Sequence, residues 1–324
     1  MNPARHLRRQ LETCELRHPA FEHHHEVLFN RIADALEGFA PKLEWVVGPS
    51  RVGKSMLLDA LAREYPSTIH EGKRRVPVLK VLTPPNISPL LLPSSVLTAL
   101  GVPLPQRGIT SGVMFTRMAD QLKLAGTRVL MFEEASHLVE PGARVPPRAA
   151  GDWFKSVMDN LEITLFLFGV PRLERLFESN EQLRLRASAR REFRPYDSRL
   201  PEEQKAFAIC VKTYADLFTA SGWPFALPLE QLVKHCYLLS GGLVGVLSAF
   251  MKELASQLDK TPPRQLTLRD CIRAATAIET TETATCRAFM RDEVTPLEMS
   301  RAHAHTLSIN DMGMPRNIEK KESN

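Results

Sequence analysis

The eight residues Gly48-Pro49-Ser50-Arg51-Val52-Gly53-Lys54-Ser55 fit the pattern G-x-x-x-x-G-K-[ST], and they stand directly between an apolar run, LEWVV, and a helix-forming run, SMLLDALAREY. Strand before and helix after is the context a phosphate-binding loop requires. It commits the chain to an α/β architecture in which a helix springs from the end of a strand. The glycines let backbone amides wrap a β-phosphate, and the amino end of the helix adds partial positive charge. Gly48 to Ser55, with Met56 after them, are therefore the expected nucleotide cradle. In it Lys54 reaches the β- and γ-phosphates and Ser55 holds magnesium, so the expected ligands are ATP and Mg2+.

Four short apolar runs, LEWVVG, VPVLKVL, RVLMFE and ITLFLFG, alternate with helix-like segments at about 54–64, 88–100, 112–125 and 152–160. Strands of unalternated apolar residues between helices predict a parallel sheet covered on both faces. A further helix precedes the first strand, because Phe21, Val27 or Leu28, Ile32, Leu36 and Phe39 share one helical face. A short fifth strand is expected at Glu192 to Tyr196. From Pro201 onward the strand signal stops and only helical patterns follow. The 324 residues suit about two domains. The expected division is a helical segment at 1–40, a P-loop core at 41–200, an all-helical lid at 201–290 and a flexible tail at 291–324, where periodicity is lacking.

Hydrophobic residues at 44% and charged residues at 24% leave no room for a disordered, collagenous or coiled-coil chain. Five scattered cysteines without a CxxC pair indicate neither a disulfide framework nor a zinc site. The charged start, MNPARHLRRQ, has no apolar core behind it and does not read as a signal peptide. No stretch has the length of a membrane span. No membrane partner is expected, and the cytoplasm is the expected location.

Seventy-nine residues after Lys54, RVLMFEE delivers Glu133 and Glu134 at the carboxyl end of a strand, where open α/β sheets bind their ligands. Glu133 is expected to hold the magnesium, directly or through water. Glu134 is expected to orient and deprotonate the water that attacks the γ-phosphate. An acidic pair at a strand end is otherwise an ordinary solvated terminus; its coupling to the P-loop gives it the catalytic reading. His23, His24 and His25 are consecutive, so they point to different sides of a helix and do not form a metal face.

The net charge of +5 has a local source: residues 182–199 carry six arginines against Glu192 and Asp197. Arg184 and Arg186 are the candidates for an arginine finger that a neighbouring copy receives at its nucleotide, a role suited to a forked, permanently charged donor. The alternative is a solvated basic face or a set of ion pairs with Glu174, Glu178 and Glu181. For phosphate contacts to DNA the candidates are Arg107 and Thr110 in PQRGIT, Lys73, Arg74 and Arg75 in EGKRR, and Arg144 and Arg148.

Taken together, HPAF near the start, GPSRVGKS, GVPLPQRGIT, VLMFEEASHL, LFLFGVPRLERLFESNEQLRLR and SGGLVGVL resemble the AAA+ ATPases TniB and TnsC of transposons with a heteromeric transposase, including CRISPR-associated ones. The resemblance runs over about residues 15–260, and GVP-x-x-x-x-LF-x-x-NEQL is its most specific part. It implies a P-loop AAA+ domain followed by a small helical lid, in a bacterial ATP-dependent regulator of transposition. It also implies a ring or filament of self-assembled copies on double-stranded DNA without sequence preference, hydrolysis driving disassembly, a TniQ-like target-selection protein as one partner and a transposase subunit as another. Lys54, Ser55, Glu133 and Glu134 keep the roles derived above. The chain departs from these relatives at Arg51, where Gly is frequent, and at Glu133, where Asp is usual. The strand end Phe168-Gly169-Val170 and the lid run Ser240 to Gly245 lack the polar and arginine sensors of many AAA+ proteins. A replication initiator or helicase loader would expect a winged-helix domain for which the residues after 290 are too few. A P-loop kinase would not need the water-activating Glu134; a stand-alone NTPase that does not act on DNA is the other alternative.

Overall fold

Burial on both faces decides the strands: Leu43–Val47 (β1) and Thr164–Gly169 (β6) are buried at every residue. In the computed structural model, which describes residues 3–105, 109–259, 261–278, 288–290 and 293–313, they lie side by side in parallel. With Val78–Leu82 (β4), Val129–Glu133 (β5) and Arg191–Glu192 (β7) they form a five-stranded parallel sheet in the order β4-β5-β6-β1-β7. The remaining two strands, Thr68–His70 (β2) and Lys73–Arg75 (β3), make an exposed antiparallel hairpin that the apolar pattern did not predict. Helices Lys54–Glu64, Leu91–Ala99, Ser111–Ala125 and Pro147–Leu161 match the predicted segments to within a few residues. The second starts late because the Ser88 hydroxyl caps Leu91, and the last starts early because Pro146-Pro147 is pre-set for a first turn.

The expected fifth strand is shorter and earlier than predicted. Phe193 still donates to Val47 at 2.8 Å, but Pro195 cannot continue a ladder. One buried charge interrupts β1: Glu44, with no exposed surface, accepts from Arg31 at 2.9 Å, Arg191 at 3.1 Å and the Ser188 hydroxyl at 2.5 Å. A carboxylate so desolvated is tolerable only with such partners.

The chain divides into two compact units, 23–49 with 54–193 and 1–22 with 50–53 and 194–324. The first holds the sheet. In it His24 is buried against the Phe193 ring, and His25 bonds Glu64 at 3.0 Å. Burial, helped by repulsion from His23, pushes the His24 pKa down to about 4. The unfolded chain therefore takes up a proton in the window from pH 6.5 to 4 that the folded chain refuses, and stability falls as pH drops through it. His24→Phe should flatten that acid limb in urea unfolding followed by circular dichroism; an unchanged limb would remove His24 as its cause.

The second unit is helical: Pro3–Thr13, Pro201–Ala220, Leu229–Ser240, Val244–Ser256, Leu268–Ile278 and Pro296–Ile309. Ala4, Leu7 and Leu11 enter the same core as Phe207, Leu247 and Phe250, with Arg8 to Asp259 at 2.8 Å on the rim. Residues 296–309, expected to lack structure, form a helix opened by a capping box between Thr295 and Glu298 and packed on Leu229–Ser240. Gly242 (φ +89°) lies where an added Cβ would collide with the Tyr196 carbonyl, while Tyr196 donates to Gly242 at 3.1 Å. Gly242→Ala is expected to destabilise this unit by about 3 kcal/mol, read as a lowered thermal midpoint.

Among the described residues no single helix is long and apolar enough to cross a membrane; Leu229–Ser240 and Val244–Ser256 pass that test only together, bent by 113°. Cys14, Cys210, Cys236 and Cys271 are free thiols, and Cys286 lies outside the described residues.

Candidate nucleotide site

At the carboxyl end of β1 the chain turns into the P-loop, anchored by a hydrogen bond from Gly48 to the Gly169 carbonyl at 3.1 Å. Gly53 adopts φ 119°, open to glycine alone, and Arg51 adopts φ 64°. The latter puts a side chain in the left-handed region, which glycine enters at no steric cost. The Arg51 side chain is exposed, and its carbonyl accepts from Gly245 at 2.8 Å. Ser50 is exposed, Gly48, Pro49 and Val52 are buried, and Met56 is half-buried.

Lys54 begins the helix and folds back, donating to the carbonyls of Gly48 at 2.8 Å and Pro49 at 2.7 Å. It is 7% exposed and makes no ion pair among the described residues. Burial pulls its pKa down to about 8, a fall that Glu134 and Glu133 partly offset. Ser55, in the first helical turn, is exposed. A buried ammonium held only by carbonyl dipoles beside a helix amino terminus is a site for anionic oxygen.

Glu133 ends β5 in register with Leu82, and Glu134 follows at φ 54°, ψ 36°, a strained conformation for a residue with a side chain. The turn is fastened on two sides. Val170, past the end of β6, donates to the Ser136 hydroxyl at 2.7 Å, and the His137 ring bonds the Thr83 carbonyl past β4 at 2.9 Å. Ser136 lies against Gly169, so the strand end read as bare of polar groups receives a buried hydroxyl from another segment. Glu133 accepts from Lys80 of β4 at 2.9 Å, and Lys80 also reaches Asp59 at 2.6 Å. Sequence reasoning missed Lys80, Ser136 and His137; for Lys80 the signal was a lone charge inside VPVLKVL.

Most of the arginine-rich stretch is engaged internally. Arg186 grips both Asp159 oxygens at 3.1 and 3.2 Å, Arg190 pairs with Glu174 and Glu192, Arg191 with Glu44 and Arg199 with Asp197. Arg184 is 63% exposed, its ion pair with Glu181 a loose 4.0 Å. Arg74 donates to Leu100 and Arg75 to Leu124, each at a helix carboxyl end, while Lys73 is exposed beside them. Thr110 caps helix Ser111–Ala125. Arg144 and Arg148 are exposed, and Arg107 lies outside the described residues.

A parallel sheet of this order, with a P-loop leaving β1 and an acidic pair ending β5 two strands away, is the core of an AAA+ P-loop ATPase. The chain belongs to the bacterial TniB protein family, whose sequence model matches residues 23–194. The fold is similar to that of Cdc6p from Pyrobaculum aerophilum, at TM-score 0.62 and 11% identity over 96% of this chain and 86% of that one. It is also similar to the ORC2 protein of Aeropyrum pernix in its ADPNP-ADP complexes, at TM-score 0.61 and 13% identity over 96% and 87%. The Aeropyrum pernix ORC1 protein in complex with DNA matches at TM-score 0.56 and 17% identity over 80% and 65%. No curated protein matches the chain.

Proposed function

We propose that this chain is an ATP-hydrolysing assembly factor of DNA transposition that oligomerises on double-stranded DNA and links a TniQ-like target-selection protein to a transposase subunit. The observation that carries the reading is the convergence of the buried Lys54 with Glu133 and Glu134 in a member of the TniB family. Nucleotide phosphates would give Lys54 a directly bonded counter-charge, where its own surroundings offer two carbonyl contacts and the longer-range pull of Glu134 and Glu133. The hard oxygen donors Ser55 and Glu133 suit magnesium, which would neutralise phosphate charge there. Among the described residues no cluster of three His, Cys, Asp or Glu side chains forms a self-contained metal site, in keeping with an ion that takes its other ligands from phosphate and water. Glu134 accepts the proton of the attacking water, and its fixed turn orients that carboxylate.

Arg184 is the stronger candidate to reach a neighbouring copy's nucleotide, because Arg186 is held by Asp159. Lys73, Thr110, Arg144 and Arg148 are the better-disposed DNA candidates, with Arg107 beside them in sequence; Arg74 and Arg75 keep part of their charge for helix ends. The ORC1 complex with DNA supports a DNA-facing role for this fold. A core at 41–200, a lid at 201–290 and a cytoplasmic location complete the proposal.

Particle size, by light scattering with a short DNA duplex and a slowly hydrolysed ATP analogue, tests it. Assemblies should form only when both are present. Arg184→Ala should abolish them while Arg186→Ala leaves them largely intact. A particle of unchanged size in every condition would sink the assembly role.

A further inference from the structure

Lys80 is the only charged residue of β4, and it bridges three elements of the site unit. Its ammonium lies 2.9 Å from a Glu133 oxygen at the end of β5 and 2.6 Å from an Asp59 oxygen on helix Lys54–Glu64. Asp59 stands four residues, about one helical turn, beyond Ser55. The cation thus connects the carboxylate assigned to magnesium with the helix that carries the other assigned ligand. The two carboxylates differ: Glu133 is 15% exposed and Asp59 is 56% exposed. A lysine head is a compact charge on a flexible stem, able to shift between acceptors without losing both. While it contacts Glu133, it occupies one of the two carboxylate oxygens and lowers the negative potential that a second cation would meet at the other.

We propose that Lys80 is a positioning residue that shares Glu133 with magnesium. It holds the carboxylate in the nucleotide-free protein, yields it on metal binding while keeping Asp59, and so sets the magnesium concentration at which nucleotide is bound. The inference rests on the reading of Glu133 as a magnesium ligand.

The test is the magnesium dependence of binding of a fluorescent, non-hydrolysed ATP analogue to the full chain. Lys80→Met removes the competitor, and the half-saturating magnesium concentration should fall about tenfold. Asp59→Asn leaves Lys80 to Glu133 alone, and that concentration should rise. Lys80→Arg keeps the charge and should stay near wild type. Thermal midpoints of all three variants identify any that fail to fold, and the opposite directions of Lys80→Met and Asp59→Asn cannot come from general loosening. A normal magnesium response with no shift in either variant overturns the Lys80 role alone. Wild-type binding indifferent to magnesium overturns that role together with the ligand role of Glu133.

Discussion

Glu134→Gln should bind ATP with nearly wild-type affinity and hydrolyse it 100- to 10,000-fold more slowly, about the contribution of a positioned general base. The substitution keeps the side-chain length and leaves the strained backbone as it is, since Gln meets the same cost at φ 54°. The fastening of the turn through Ser136 and His137 is also untouched. What is lost is the carboxylate that accepts a proton from water. One side effect follows from the electrostatics: Glu134 helps to keep Lys54 protonated, so the variant's Lys54 titrates still lower than about 8. Binding is therefore best compared near pH 7, by titration with a fluorescent analogue, and turnover by phosphate release. On DNA the variant should persist as the assembled form. Wild-type turnover would take the base role away from Glu134, and wild-type disassembly would separate hydrolysis from release.

Lys54→Met should lose ATP affinity by about 100-fold, because charge-assisted contacts are about twice as strong as neutral ones and an ammonium can make more than one of them to phosphate oxygens. Folding stability should move the other way or not at all. Lys54 is 7% exposed and is held by two carbonyls rather than a carboxylate, so the folded protein carries the desolvation of an ammonium without an ion pair to offset it. Met fills most of the same volume without that penalty. Calorimetric titration with ATP, set beside the thermal midpoint, separates the two effects. Lost binding with an unchanged or raised midpoint is the expected pair. Lost binding with a collapsed midpoint would make Lys54 a structural residue.

The four central strands were legible because they are largely buried and read as nearly continuous apolar runs; the fifth, Arg191–Glu192, is charged and half-buried and was misplaced. The P-loop was legible because its chemistry lies in eight consecutive residues. One helix escaped for a different reason. Pro296–Ile309 carries a Thr-Pro-x-Glu start, but it has so much polar surface that composition hid the pattern. The hairpin Thr68–Arg75 has no buried face at all, so periodicity had nothing to register. Of the six arginines between 182 and 199, four are tied to carboxylates; Arg199 to Asp197 is a local pairing and Arg190 to Glu174 one of the expected alternatives, but no local spacing announces Arg186 on Asp159 or Arg191 on Glu44.

The sequence by itself determined the four central strands, the phosphate-loop motif and the place of the acidic pair at the end of β5, because each depends on residues adjacent along the chain. Tertiary structure alone decided which charges meet: Lys80 on Glu133, Ser136 under Val170, Arg186 on Asp159 while Arg184 stays exposed. Coulombic and hydrogen-bond energies act over a few ångströms of space, whatever the distance along the chain, and only the folded sheet brings those residues within reach.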